Sequence, residues 1–229
     1  MNNTLSERRI GAYGGTFDPI HNGHIEVARA VAHNFRLDQL LIIPAHKPPH
    51  KDSRAISNAY HRYAMAVLAS LDDPAVLVST IEIEAPDKPY SFQTVEQLNG
   101  LYGAGTSLFF IMGADSFEEI NTWREPSRLL ARANVVVVTR PGYELRSSHL
   151  PADFVSSIID ARGRPVSRPG PEDGASAGFG VRRVYLTDYV NNDVSSTEIR
   201  QRVRDGESID GLVPPRVAGY IEKYELYRR

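Results

Sequence analysis

Residues 10–24 read I-G-A-Y-G-G-T-F-D-P-I-H-N-G-H, and this stretch predicts a strand, a glycine turn and the start of a helix. The adjacent Gly14 and Gly15 allow the backbone to approach a ligand closely. A helix that begins just after them offers free N–H groups and a positive dipole end, which favour an anion such as phosphate. His21 and His24 lie three residues apart, so both imidazoles can face the same spot and donate to phosphate oxygens.

Each part of this stretch has a plainer interpretation when it is taken alone. A glycine pair is most often a turn, and a single histidine is most often a surface or core residue. Their combination at a strand–helix junction favours a phosphate site, because ligands of open parallel sheets bind at the carboxyl ends of strands. The string matches neither the dinucleotide pattern G-x-G-x-x-G nor a Walker loop.

Length and composition describe an ordinary globular protein. The chain has 229 residues, 41% hydrophobic and 24% charged, which suits a single α/β domain spanning residues 1–229. A net charge of −2 argues against nucleic acid as a partner. The absence of cysteine excludes disulfides and thiolate metal sites. No apolar run is long enough to cross a bilayer and the first residues lack the apolar core of a signal peptide, so we expect a cytoplasmic protein with no membrane partner.

The remainder of the chain alternates apolar runs of strand length with amphipathic helical segments. Strands are predicted at 39–43, 76–78, 81–83, 107–112, 134–139 and 181–186. Helices are predicted to start near Ser57, Tyr90, Pro126 and Ser195. The unbroken apolar character of several strands is typical of a parallel sheet covered on both faces.

Two strand ends carry basic residues. The loop A-H-K-P-P-H-K at 45–51 follows the second strand and includes His50 and Lys51. It is either a solvated basic loop or a phosphate contact. Arg140 ends the strand at 134–139 in the string R-P-G, where it could bind a phosphate with two parallel hydrogen bonds or be a surface residue before a turn.

Three more positions each have a purely structural interpretation. Asp115, in the string G-A-D-S that begins at Gly113, is either a helix N-cap or a hydrogen-bond acceptor for a nucleotide. Thr94 could be a simple cap, and Trp123, the single tryptophan, is normally a packing residue.

The string V-S-S-T-E-I-R at 194–200 begins a helix with a capping pattern. The hydroxyls of Ser196 and Thr197, the helix N–H groups and Arg200 also form a potential anion site. By contrast, residues 143–180 are rich in Gly, Pro and Ser and predict a flexible insertion, with one short helix at 150–161.

G-G-T-F-D-P-I-H-N-G-H resembles the first signature of the nucleotidylyltransferase superfamily, and V-S-S-T-E-I-R resembles its second signature with Val194 in place of Ile. The segments P-P-H-K, Y-S-F-Q-T-V and M-G-A-D-S followed by Trp123 resemble bacterial-type nicotinate-nucleotide adenylyltransferases, with Ser91 where Thr is usual. The resemblance implies a Rossmann-like parallel sheet with helices on both faces. It also implies adenylyl transfer from ATP to nicotinate mononucleotide, which gives nicotinate adenine dinucleotide and pyrophosphate in NAD biosynthesis.

The resemblance also implies a role for each matching residue. The catalytic residues would be His21, His24 and Arg200. ATP would be bound by Gly14, Gly15, Thr16, Phe17, His21, His24, Gly113, Asp115, Ser196, Thr197 and Arg200. Nicotinate mononucleotide would be bound by His50, Lys51, Thr94, Trp123 and Arg140. Mg²⁺ would be bound mainly through the ATP phosphates, and the chain could form a homo-oligomer.

Other activities of the same superfamily compete with this interpretation. The acceptor could be nicotinamide mononucleotide or pantetheine phosphate, although the latter family lacks the combination of G-A-D-S, Trp and R-P-G. Class I aminoacyl-tRNA synthetases share an H-x-G-H signature but also carry tRNA-binding domains. A non-catalytic nucleotide-binding protein on the same fold is the alternative from a different class.

Overall fold

A parallel β-sheet forms the centre of the molecule. The computed structural model describes residues 8–46, 56–85, 89–139, 142, 144, 150–163 and 182–228. The strands of this part of the chain are β1 (Arg8–Gly15), β2 (Gln39–Pro44), β3 (Val76–Val78), β4 (Thr106–Gly113), β5 (Asn134–Val138), β6 (Ile158–Asp160) and β7 (Val184–Thr187). Their order is β3-β2-β1-β4-β5-β7-β6, and every neighbouring pair is parallel.

Helices connect the strands. Within the described residues they are α1 (Asn22–Asn34), α2 (Ala59–Ser70), α3 (Ser91–Tyr102), α4 (Ala114–Glu118), α5 (Pro126–Arg132), α6 (Ala152–Ser156), α7 (Ser196–Asp205) and α8 (Pro215–Lys223). Their starts follow local chemistry. Pro126 occupies the first position of α5, where its missing N–H costs nothing. The cap of α2 is Asn58, whose side chain accepts from the Tyr60 N–H over 2.9 Å, one residue after the Ser57 start that the sequence predicted.

The central strands are buried on both faces because successive side chains point to opposite sides of the sheet. In β4, Phe110 and Met112 belong to a core shared with α3 and α5. Phe109 and Ile111 belong to a second core, which includes apolar residues of α1, α2, α7 and α8. The predicted parallel sheet with helices on both faces is therefore confirmed.

Two local predictions were wrong. Residues 81–83 form turns rather than a strand, although Ile83 is buried. The helix predicted over 150–161 ends with α6, and Ile158 and Ile159 then pair with Val184 and Tyr185 as an edge strand. Tertiary pairing decides this segment, since β-branched residues fit a strand as soon as a neighbouring strand is present.

Part of the segment predicted as a flexible insertion thus joins the sheet. Phe154 of α6 is fully buried and its ring lies 6.1 Å from that of Phe117. Within the 143–180 segment the structure describes residues 144 and 150–163, and the others lie outside the described residues. Among the helices that the structure describes, none has the length and apolar composition needed to cross a bilayer.

Candidate active site

The strand order creates a crevice between β1 and β4. The chain runs from β1 outward to β2 and β3, then returns to the other side of β1 with β4. Because these strands are parallel, Gly15 and Gly113 end at the same edge of the sheet. Ligands of open α/β sheets bind at such a switch point, outside the carboxyl ends of the strands.

His21 and His24 stack at this edge. His21 is the extended residue before α1, and its ring centroid lies 3.6 Å from that of His24 with the planes tilted by 31°. The backbone N–H of His21 donates to Nδ1 of His24 over 3.2 Å. Since Nδ1 of His24 accepts this bond, its ring proton is on Nε2, which is then a donor.

The environment of His21 changes its chemistry. The residue is 7% exposed, and its Nδ1 has no hydrogen-bond partner among the described residues. Burial lowers the pKa of His21 to about 4. His21 is therefore a neutral imidazole at pH 7 in the free protein. A neutral ring still donates one N–H to a phosphate oxygen.

A cavity of about 240 Å³ opens beside the histidines. It is lined by His21, His24, Gly113 and Asp115, which the sequence had singled out. Asp115 lies in the first turn of α4, while Gly113 is the residue before this helix, so the N-cap interpretation of Asp115 is wrong. The carboxylate faces a space that a nucleotide could occupy.

Sequence reasoning missed three polar residues that line the same cavity: Tyr13, Thr139 and Asn192. Tyr13 lies two residues before the last residue of β1 and Thr139 directly follows β5, so their positions near strand ends were the available signal. Asn192 is held in place because its side chain donates to Glu26 over 2.9 Å. In the sequence, the only indication for Asn192 was a weak one, namely its position shortly before the second signature.

The turn between β1 and α1 is tightly specified. A Cβ on Gly15 would lie 2.7 Å from the Phe17 ring, so any larger residue here would force this buried ring to move. Phe17 itself has a φ of 51°, and its ring packs edge-on against Tyr13 and His24 at 5.4 and 5.0 Å. Phe17 is buried, which makes it a support of the site through packing as well as through its backbone.

The buried side chain of Arg62 holds the same turn by hydrogen bonds. Its side chain is 1% exposed and donates to the carbonyl oxygens of Thr16, Ala45, His46 and Ser57 over 2.6 to 3.1 Å. Burial lowers the pKa of Arg62, and the charge of Asp18 opposes this effect. Arg62 lies in α2, and the sequence analysis did not identify it, because nothing in a sequence reveals which carbonyl oxygens lack partners.

The second signature also contacts this turn. Ser195 caps α7 as predicted, since its Oγ accepts from the Glu198 N–H over 3.1 Å. The Ser196 hydroxyl donates to the Pro19 carbonyl over 2.9 Å. Arg200 donates from Nη1 to the Asp18 carbonyl over 2.7 Å and from Nη2 to the Thr197 hydroxyl over 3.3 Å. Ser196 and Arg200 therefore hold the turn and Thr197 holds Arg200, and none of the three is among the described residues that line the cavity.

Thr94 and Trp123 lie near the other side of β4. Thr94 is 2% exposed and donates to the Glu82 carboxylate over 2.8 Å. Burial raises the pKa of Glu82, while the Thr94 hydrogen bond and the Arg62 charge oppose the rise. Trp123 is half-buried and packs edge-on against Phe110, with ring centroids 6.4 Å apart.

His50, Lys51 and Arg140, predicted to bind the mononucleotide, lie outside the described residues. The described residues include no cluster of three or more carboxylate or histidine side chains that could cage a metal ion. Mg²⁺ is commonly held by one or two carboxylates, water and substrate phosphates, so the single Asp115 carboxylate fits a phosphate-borne ion better than a protein cage.

Comparison with known proteins defines the class first. A family model described as cytidylyltransferase-like matches residues 12–202, which include both signature segments and the cavity between them. A protein of Thermoanaerobacter sp. (strain X514) named "Probable nicotinate-nucleotide adenylyltransferase" is 38% identical over 97% of this chain and 96% of its own length. One of the same name from Roseiflexus sp. (strain RS-1) is 39% identical over 98% of this chain and 100% of its own length. The chain belongs to the nicotinate-nucleotide adenylyltransferase family.

The fold agrees with this assignment. The structure of Plasmodium falciparum nicotinic acid mononucleotide adenylyltransferase complexed with NaAD superposes with a TM-score of 0.69, covering 96% of this chain and 97% of that one. The sequences are 17% identical, so this likeness concerns the fold alone.

Proposed function

We propose that the protein transfers the adenylyl group of ATP to nicotinate mononucleotide, giving nicotinate adenine dinucleotide and pyrophosphate. The observation that carries the proposal is the stacked pair His21 and His24 at the start of α1, facing the cavity between β1 and β4. Relatives named "Probable nicotinate-nucleotide adenylyltransferase" align over nearly the whole chain, which supports the choice of both substrates.

In this proposal the acceptor phosphate attacks the α-phosphorus of ATP in line. The nucleophile is already an anion at neutral pH, so no general base is needed. The barrier lies in bringing two polyanions together and in stabilising the charge that develops on the leaving pyrophosphate. N–H donors on His21 and His24 and the positive dipole end of α1 are suited to this task, because they stabilise the negative charge that develops on the leaving group.

The roles of the remaining residues on the ATP side follow. Gly14, Gly15, Thr16 and Phe17 support ATP through the backbone, and Gly113 and Asp115 line its nucleoside pocket. Ser196, Thr197 and Arg200 bind the leaving β- and γ-phosphates. Arg200 has five N–H donors, and two of them bond within the protein, so three remain for a phosphate.

On the acceptor side, His50, Lys51 and Arg140 bind the mononucleotide phosphate and Trp123 stacks on the pyridine ring. Because the Thr94 hydroxyl donates to Glu82 and its N–H donates to the Tyr90 carbonyl over 3.2 Å, Thr94 supports the pocket by holding the first turn of α3 in place. Free backbone N–H groups at the start of a helix can donate to both oxygens of the nicotinate carboxylate, whereas the amide of nicotinamide would turn its own NH₂ donor toward them.

Mg²⁺ belongs to the proposal as an ion held mainly by the ATP phosphates and water, since Asp115, the one carboxylate among the described residues that line the cavity, is assigned to the nucleoside pocket. When bound, it would neutralise charge on the phosphates. The residues of the chain bind, orient and donate hydrogen bonds as described above. We also propose a cytoplasmic location, since ATP is the donor, and a single domain for residues 1–229.

The test is pyrophosphate release from ATP and Mg²⁺ with three acceptors in parallel: nicotinate mononucleotide, nicotinamide mononucleotide and pantetheine phosphate. The dinucleotide product is identified by mass spectrometry. We expect the highest kcat/KM with nicotinate mononucleotide. Release with another acceptor alone would reassign the substrate, and ATP binding without release from any acceptor would favour a non-catalytic nucleotide-binding protein.

A further inference from the structure

The last described residues of the chain contact the turn that precedes His21. The hydroxyl of Tyr227 donates to Oδ1 of Asp18 over 2.7 Å, although 209 residues separate them. The Asp18 carboxylate is 2% exposed, and its Oδ2 accepts from the Ser57 N–H over 3.2 Å. A buried carboxylate must keep such donors, because losing one leaves a charge out of water without compensation.

The backbone around Tyr227 adopts an uncommon conformation to make this contact. Glu225 and Tyr227 have φ values of 51° and 67°, in the left-handed region that residues other than glycine rarely enter. The Leu226 N–H between them donates to the Ile221 carbonyl over 3.0 Å, which ties the segment back to α8. Such conformations persist where the surroundings hold them, and they often mark functional sites.

Asp18 lies in the turn that leads directly to His21. The carbonyl groups of this turn accept hydrogen bonds from Arg62, Ser196 and Arg200, as described above. Those bonds hold the main chain, whereas Tyr227 holds the Asp18 side chain from the opposite end of the sequence. Three distant segments, namely α2, α7 and the residues after α8, therefore converge on the residues just before the histidine pair.

We propose that Tyr227 is a positioning residue for adenylyl transfer, acting through Asp18 on the turn that places His21 and His24. The inference rests on the proposed function. Tyr227 does not line the cavity, so its effect is on the placement of donors rather than on substrate contact. Small misplacements of catalytic groups reduce the rate strongly, because the geometry of attack must be held closely.

The hydroxyl remains a donor at the pH of any ordinary assay. Burial, followed by the nearby charge of Asp18, raises the pKa of Tyr227 above its usual value. A change in kcat on removing the hydroxyl therefore reports the hydrogen bond and not a change of ionisation.

The test compares Tyr227→Phe with Tyr224→Phe. Tyr224 is a matched control in the same segment, because it is 50% exposed and its ring contacts His61 and Tyr220, away from the turn. We expect Tyr227→Phe to lower kcat by about tenfold with little change in either KM, since a hydrogen bond to a charged group is worth about one such factor. Amide hydrogen exchange should accelerate at residues 16–24 in Tyr227→Phe and not in Tyr224→Phe.

A double-mutant cycle shows whether Tyr227 acts through Asp18. In an Asp18→Ala background, Tyr227→Phe should have no further effect on kcat. Fully additive effects would overturn the proposal, as would a Tyr227→Phe enzyme with wild-type kcat and wild-type exchange at residues 16–24. An unchanged kcat per folded molecule with a lower Tm alone would reduce Tyr227 to a structural role and overturn it too. If the wild type releases no pyrophosphate from any acceptor, the proposed function fails, while hydrogen exchange still decides whether Tyr227 holds the turn.

Discussion

Arg200 donates from Nη1 to the backbone carbonyl oxygen of Asp18 over 2.7 Å, and this bond joins two segments that lie 182 residues apart in the chain. Both segments carry superfamily signatures. The second signature therefore has a structural task that its resemblance alone did not imply: it holds the turn that precedes the histidine pair. A planar guanidinium can hold this carbonyl and still present further N–H groups to a phosphate.

Replacing Arg200 with Lys should impair the use of ATP more than the use of the mononucleotide. Lysine keeps the charge but cannot hold the Asp18 carbonyl and a phosphate at once with fork geometry. We expect kcat/KM for ATP to fall by about tenfold or more. Steady-state kinetics with each substrate varied in turn provides the measurement. The control is Arg202→Lys in the same helix, whose side chain forms an exposed ion pair with Glu198. Equal behaviour of the two variants would remove Arg200 from the ATP site.

Truncating His24 to Ala should lower kcat by about 10² to 10³ while the fold survives, because one oxyanion-type donor is typically worth that much. His33→Ala is the matched control, since His33 is an exposed residue in the last turn of the same helix. Initial rates of pyrophosphate release and circular dichroism decide the outcome. A His24→Ala enzyme as fast as His33→Ala would exclude His24 from the mechanism.

Stability should decrease on acidification because His21 is buried as a neutral ring. Its folded pKa of about 4 is below the usual unfolded value, so the unfolded state binds more protons between those two values. The free energy of unfolding should therefore fall as pH drops from about 6.5 to about 4, by on the order of 2 kcal/mol from this group.

Urea unfolding at a series of pH values measures this dependence. In His21→Asn the same window should be flatter, because no ring titrates there. His33→Asn, at an exposed position, should retain the slope of the wild type. Parallel profiles for all three proteins would contradict a depressed pKa for His21.

Replacing the buried Arg62 with Lys should destabilise the protein by about 2 kcal/mol or more, since several buried carbonyl groups lose donors that one ammonium cannot replace. Urea unfolding at pH 7 gives the value. Arg29→Lys is the control, because Arg29 pairs with Asp73 at the surface and more than half of its side chain is exposed. If both variants lose the same small amount, the four carbonyl contacts of Arg62 contribute little.

Discrimination between acid and amide mononucleotides should survive Trp123→Phe while kcat/KM for both falls. Stacking does not distinguish the two pyridine rings, whereas backbone N–H donors do, at about 1–3 kcal/mol for each unpaired group. The measurement is kcat/KM for both mononucleotides with wild type and variant. Equal wild-type values would indicate a dual-specificity enzyme, and loss of the preference in Trp123→Phe would assign the discrimination to the ring.

Residue types and their spacing were sufficient to predict much of the fold and the part of the site that the first signature forms. Apolar runs predicted the central strands, and glycines at strand ends together with Pro126 and Ser195 marked the helix starts. Residues 81–83 and 158–160 were mispredicted, because short apolar segments take the conformation that their tertiary neighbours permit. The placement of His21 and His24 on one face followed from their spacing and from the helix that begins between them.

The sequence by itself determined the parallel sheet, the histidine pair and the family, since each depends on residue type and spacing along the chain. The tertiary structure alone decided that Asp18 accepts hydrogen bonds from Tyr227 and Arg200 and that Arg62 donates to four carbonyl groups. It also decided that His21 is buried and neutral. Hydrogen bonds between distant segments and the pKa of a buried ring depend on which groups folding brings together and how much water it removes, and neither quantity is a local property of the chain.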